Sequence, residues 1–398
     1  MRALAALPLL LVGCGGELVY CTDLAAELAE CDVAATELSC ELITLGDRVA
    51  LKNDFDARGC DAVWNEDGEV DDRLCRAFNW DCPEPLQPAP HEVPLANPVV
   101  FVGGVDNGPE FDWNPDVLDR VARETGVDVY QIALSGWAPR EVRALELWQK
   151  IRVVATESRT GRVNLICYAV GGLDCRFLVS PGGLFANDAV GVEATSNVIA
   201  SITTIATPHR GTDVASAALY ASDEVLGAVL GQRASSGRTD ADVVRSLEEL
   251  TPEAMVEFNE VVVDAPDVAY YSWAGVTHFL GSSLFVSEAS ILEHCVDDWD
   301  RPSMLRHPDT QDLMSDLLAP AAPFAGRTID ASGATATSPH DGMVSVVSAK
   351  WGAFIGCIPA DHYDVIGQHH DGGADPYTGF DTTRFYASWI QQLFERGF

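Results

Sequence analysis

Two textures of apolar and polar positions alternate along most of this chain. Val99-Val100-Phe101-Val102 is a short unbroken apolar run ending in Gly103-Gly104, the pattern of a strand covered on both faces. Asp116–Glu124 reads as a helix, Val127–Leu134 as a second strand, and Glu141–Glu157 as a long helix with apolar residues at Val142, Leu145, Leu147, Ile151 and Val154. Val163–Tyr168 is a third strand, running into Gly171-Gly172 and another helix, and Ile199–Ile205 is a β-branched fourth. Strands alternating with helices predict an α/β fold, a mostly parallel sheet with helices on both faces. Ligands in such folds bind beyond the carboxyl ends of the strands, so chemistry is expected in the loops that follow them.

The texture before residue 98 is different. Residues 83–97 are proline-rich and aperiodic, which reads as a linker. The segment 14–82 before it holds Cys21, Cys31, Cys40, Cys60, Cys75 and Cys82, enough for a small module with up to three disulfides whose pairing stays open. A zinc site is the rival reading, but no CxxC pair and no nearby His supports it. Met1-Arg2 followed by the apolar run Ala3–Val12 reads as a secretory signal too short to span a bilayer as a helix. The run closes on Leu11-Val12-Gly13-Cys14, which resembles the bacterial lipobox. That resemblance implies a signal peptide over 1–13 and a membrane anchor through lipid on Cys14. With Gly15 rather than Asp next, it implies an exported lipoprotein of the outer membrane or cell surface. Export permits disulfides elsewhere too: Cys295 and Cys357 lie in loop-like stretches and can pair, whereas Cys167 and Cys175 read as buried small hydrophobes.

Composition narrows the function classes. Of 398 residues, 47% are apolar, which excludes wholesale disorder. There are 25 Lys and Arg against 60 Asp and Glu, a formal net charge of −35. Phosphate backbones need clustered basic residues, so nucleic acid is not the expected partner. The charge reads instead as a solvated acidic surface.

The strand Val163-Asn164-Leu165-Ile166 leads through Cys167-Tyr168-Ala169-Val170-Gly171-Gly172-Leu173-Asp174 into a helix. This is the place and shape of a nucleophile elbow, G-x-S-x-G, in which a sharp turn lifts the central side chain above the sheet. Here the centre is Ala169. The segment resembles the bacterial triacylglycerol (lactonising) lipases of the α/β-hydrolase superfamily, whose elbow reads N-L-[IV]-G-H-S-x-G-G-L. The resemblance extends to Ala200–Gly211, to Tyr270-Tyr271-Ser272-Trp273-Ala274-Gly275, to Asp341-Gly342-Met343-Val344-Ser345 and to His362-Tyr363-Asp364. It spans residues 98–398, read as one lipase-like α/β-hydrolase domain.

Carried over by residue, the resemblance implies Ala169 at the nucleophile position, Asp341 as the triad acid and His362 as the triad base. It implies the backbone N–H groups of Val105 and Val170 as oxyanion donors, and Val214–Leu230 as a helical lid. It further implies one structural Ca²⁺, with Asp364, Gln368 and the Gly372 carbonyl as ligands and one upstream Asp among Asp309, Asp312 and Asp316. The expected ligand is an acyl ester or lipid. Cys167, Tyr168 and Ala169 together replace Gly, His and Ser, and three adjacent departures favour natural divergence over one engineered swap. Cys167 is not a substitute nucleophile, since it lies two residues earlier on the strand. A methyl group cannot attack a carbonyl. The sequence therefore predicts a lipase-like protein with impaired hydrolysis. An active carboxylic-ester hydrolase is the first alternative, since Asp341 and His362 are kept. A non-catalytic lipid-binding or interaction protein is the second.

Overall fold

Asn114 shows how locally the elements are set: its side chain accepts from the Asp116 N–H, Pro115 opens the helix, and Gly126 at φ 67° closes it. The structure is a computed structural model and describes residues 31, 51, 54–63, 74, 97–105, 112–220, 240–278, 294–295, 312–329, 335–368, 375, 378 and 380–398. The chain divides into two compact units, Met1–Glu92 and Val93–Phe398.

In the first unit a Cys31–Cys60 disulfide forms, and Leu51, Phe55, Ala62, Val63 and Leu74 are buried. Cys14, the signal stretch, Cys21, Cys40, Cys75 and Cys82 lie outside the described residues.

The second unit contains β1 (Val99–Val102), α1 (Pro115–Thr125), β2 (Val129–Ile132), α2 (Arg140–Glu157), β3 (Val163–Tyr168), α3 (Val170–Val179), α4 (Ala189–Val198) and β4 (Ile199–Ile205). It continues with α5 (Asp213–Tyr220), α6 (Asp240–Glu248), α7 (Pro252–Val261), β5 (Ala269–Gly275), β6 (Arg327–Ile329), β7 (Thr335–Thr337), β8 (Ala353–Ile358) and α8 (Thr382–Glu395). Six strands make one sheet in the order β2-β1-β3-β4-β5-β8, every neighbouring pair parallel. The pair β6 and β7 is a separate antiparallel ribbon. The predicted α/β architecture is therefore present, with the second strand trimmed at both ends to Val129–Ile132.

Strand alternation decides what each face meets. Val99 and Phe101, with Ile166 and Tyr168, pack under α1 and α8, against Val117, Val121, Phe385, Tyr386 and Trp389. Val100 and Val102, with Leu165 and Cys167, pack under α2 and α3, against Leu147, Ile151, Cys175 and Leu178. This register corrects one expectation. Cys167 points to the α3 face and Cys175 sits on the sheet-facing side of α3, so the two form a disulfide rather than lying as free apolar thiols. The expected Cys295–Cys357 pair also forms. Of the predicted lid, Asp213–Tyr220 is helical and packs through Ala215 and Ala218 on α6 and α7, while 221–230 lie outside the described residues. Among the described residues, no helix is long and apolar enough to cross a membrane.

Candidate functional site

Position 169 stands between the last residue of β3 and the first of α3, at φ 47° and ψ −125°. That left-handed backbone is the sharp strand-to-helix turn of an elbow, held although its occupant is Ala. The turn is pinned by Ala169 N–H to the Ile205 carbonyl (2.9 Å), and the Ala169 carbonyl accepts from Gly172 N–H (3.1 Å). Its two glycines are steric requirements. A Cβ on Gly171 would come within 2.3 Å of the Gly103 carbonyl oxygen, and one on Gly172 within 2.2 Å of Thr207 Oγ1.

The predicted acid and base meet. His362 Nδ1 lies 2.7 Å from Asp341 Oδ2, with both side chains buried. Asp341 is held in turn: its Oδ1 accepts from the Met343 and Val344 N–H groups, and its carbonyl accepts from the His362 N–H. A proton on Nδ1 donating to the carboxylate leaves Nε2 as the free acceptor, the tautomer a general base needs. Next to Ala169, the Tyr168 hydroxyl donates to the His362 carbonyl (2.8 Å) and its ring lies 5.0 Å from the imidazole.

The two predicted oxyanion amides belong to segments joined by one buried cation, which sequence reasoning did not find. Arg143 of α2 bonds Asp174 of α3 through Nε and Nη2 (2.8 and 2.7 Å). The same guanidinium donates to the Gly104 carbonyl (2.6 Å) and reaches the Val105 carbonyl (3.3 Å). The N–H of Trp137 also donates to the Val105 carbonyl. In a trans peptide C=O and N–H point opposite ways, so fixing the Gly104 carbonyl on Arg143 turns the Val105 N–H away from it. Among the described residues, neither the Val105 nor the Val170 N–H donates a hydrogen bond. Val170 N–H also heads the ten-residue α3, whose N-terminus favours negative charge.

Beside His362 lies an acidic cluster. One carboxylate oxygen each from Asp312, Asp361 and Asp364 falls within 4.8 Å of the others, and all three side chains are buried. Both oxygens of Asp312 and Oδ1 of Asp364 have no hydrogen-bond partner. Burial, reinforced by Asp361, pushes Asp312 up to about 7 and Asp364 up to about 9. Orphaned, mutually repelling carboxylates are what a hard divalent cation relieves, so the residues present fit Ca²⁺. Of the residues expected as ligands, Asp364 lies in this cluster, and so does Asp312 of the three upstream candidates. Asp316 is not in the cluster, and Asp309 and Gly372 lie outside the described residues. Gln368 donates its Nε2 to the Asp112 carbonyl and is not among the three grouped carboxylates. Asp361 was missed, although its place directly before His362 was a usable signal. Its oxygens also accept from the Tyr363, Asp364 and Ser315 N–H groups, tying the cluster to the turn that carries the base.

No family model matches the chain. The chain is similar to triacylglycerol lipase 2 of Saccharomyces cerevisiae, at 23% identity over 296 residues, covering 71% of this chain and 73% of the yeast protein. Among solved structures it matches the Staphylococcus hyicus lipase at 19% identity and a TM-score of 0.46, covering 79% of this chain and 98% of that one. It also matches a mature Bacillus licheniformis lipase at 18% and 0.44, covering 72% and 92%. Lipase 1 from Pelosinus fermentans matches at 15% and 0.46, covering 75% and 98%.

Proposed function

We propose that the unit Val93–Phe398 is a lipase-like acyl-ester and lipid-binding module whose hydrolytic power is disarmed at position 169. The observation that carries this reading is an elbow that keeps its left-handed turn, its close-packed glycines and an assembled His362–Asp341 pair while presenting only a methyl group. An acyl carbonyl oxygen would sit against the Val105 and Val170 amides, where developing negative charge is stabilised. With Ser at 169, His362 Nε2 would take the hydroxyl proton as attack begins, and Asp341 would steady the imidazolium. With Ala, that step has no nucleophile. Loss of such a group costs about 10⁶ in turnover and leaves roughly 10³ over water from binding and oxyanion stabilisation.

Asp312, Asp361 and Asp364 would hold the cation, with Gln368 and Gly372 as further ligands by resemblance. When bound, Ca²⁺ supplies charge neutralisation that fastens the loop around Asp312 to the turn bearing His362. The chain's export, and its anchoring to a bacterial outer membrane through a lipidated Cys14, belong to the same proposal and rest on the lipobox-like run at its start.

The test compares turnover of p-nitrophenyl butyrate and longer esters by the unmodified chain and by Ala169→Ser. Turnover appearing only in the Ser variant is the expected result. Strong turnover by the unmodified chain would overturn the disarmed reading in favour of an active ester hydrolase, the second reading, which the retained Asp341–His362 pair favours. If neither protein turns over ester, binding of a fluorescent fatty acid is still expected, and its absence rejects the lipid-binding reading too.

A further inference from the structure

Tyr168 occupies the position directly before the elbow centre, where the resembled lipases carry His. Its ring is fully buried on the α1 and α8 side of the sheet. Trp113 meets it edge-on at 6.0 Å, and Trp113 is itself fixed by Nε1 donating to the Val102 carbonyl (3.0 Å). Packed in this way, the phenol has little rotational choice. Its hydroxyl ends on the carbonyl of His362, at 2.8 Å, while its ring lies 5.0 Å from the imidazole and tilted 43° to it.

Consider what holds His362 in place. Its N–H is held by the Asp341 carbonyl and its Nδ1 by the Asp341 carboxylate, so among the described residues two of its three hydrogen bonds go to one residue on one loop. Neither relates the imidazole to position 169. The third anchor, Tyr168, is covalently bonded to residue 169 and belongs to a strand paired on both sides. Among the described residues it is the hydrogen bond that ties the base to the strand carrying the elbow.

From this geometry we infer that Tyr168 is a positioning residue, which registers His362 against the elbow by donating its hydroxyl to the His362 carbonyl. The inference rests on the lipase-like reading of the site. Burial holds the phenol well above its ordinary range, so it stays a neutral donor across the working pH. Removing the hydroxyl while keeping the ring leaves packing intact, frees the His362 carbonyl and loosens the base by a fraction of an ångström. A misplacement of about 1 Å costs on the order of 100-fold in rate, and a smaller one less.

The experiment is Tyr168→Phe, made both in the unmodified chain and together with Ala169→Ser. In the Ser background kcat is expected to fall roughly 10- to 100-fold with KM nearly unchanged. In the unmodified chain the low-field proton resonance of His362 Nδ1 is expected to shift or broaden, with the melting temperature showing that the fold persists. An unmoved kcat, or an unmoved resonance, would overturn the inference. If Ala169→Ser alone shows no turnover, the hydrolase reading fails and the resonance decides Tyr168 by itself. A third measurement needs no variant: the Tyr168 hydroxyl proton should exchange slowly and show a nuclear Overhauser effect to the His362 ring. Its absence would overturn the inference.

Discussion

A non-glycine residue at φ 47° costs of order 1–3 kcal/mol, and Ala169 gains nothing chemical in return. The strain persists because the residues around it are over-determined, and Arg143 is the clearest case. Its guanidinium and the Asp174 carboxylate are both fully buried, and the cation also holds the Gly104 carbonyl. Arg143→Met would leave a buried carboxylate unpaired, so unfolding free energy should fall by about 3–5 kcal/mol in a denaturant titration. Arg143→Met combined with Asp174→Leu should recover most of that, because the pair together is worth far less than one orphaned charge. If the double variant is as unstable as the single, the carbonyl contacts of Arg143 matter more than its ion pair. At this scale the sequence was legible where a residue sat inside a motif, as Asp341 and His362 did. Arg143 and Asp174 are 31 positions apart and no motif holds both, so only the closing of α2 onto α3 makes them neighbours.

The apolar runs mark β1, β3 and β4, and β2 within a longer run, because both faces of the sheet are covered, while β5 and β8 of the same sheet are not marked in that way. What the runs did not show was which face each residue takes relative to the next helix. Cys167 and Cys175 illustrate this: each reads as a small apolar residue in its own element. Only the parity of Cys167 on β3 and the rotation of α3 bring the sulfurs together. The bridge spans the elbow, from strand to helix, and closes a short loop. Its removal in Cys167→Ala/Cys175→Ala should lower stability by roughly 2–3 kcal/mol, seen as a drop of several degrees in melting temperature. A reducing agent should then lower that temperature less in the double variant than in the unmodified chain. Equal effects of reductant on both proteins would mean the elbow bridge is not formed.

The whole unit carries buried titratable groups of both kinds, and they pull stability in opposite directions with pH. Burial pushes His209, His278 and His340 below the ordinary histidine value, in His209 with help from the Arg176 and Arg210 charges. Below about pH 6.5 the unfolded chain takes up protons that the folded chain refuses, so stability falls as pH drops through that value. Asp312 and Asp364 act from the other side, their folded values standing at about 7 and about 9. Between the ordinary carboxylate range and those values the folded state holds protons that the unfolded state has released. Stability of the cation-free protein therefore also falls as pH rises. A bound divalent cation removes the second slope, because it favours the carboxylates in their charged form. Melting temperature measured from pH 5 to pH 9 should peak near the middle of that range with chelator present. With calcium the alkaline side should flatten, and the calcium-induced rise should be larger at pH 8 than at pH 5. A rise that is equal at both values, or absent at both, would place the cation elsewhere than on Asp312, Asp361 and Asp364. Asp361→Asn separates these cases. It removes one charge from the cluster while its oxygen can still accept from the Ser315 or Tyr363 N–H, so it should weaken the calcium response and spare the acid limb set by the histidines.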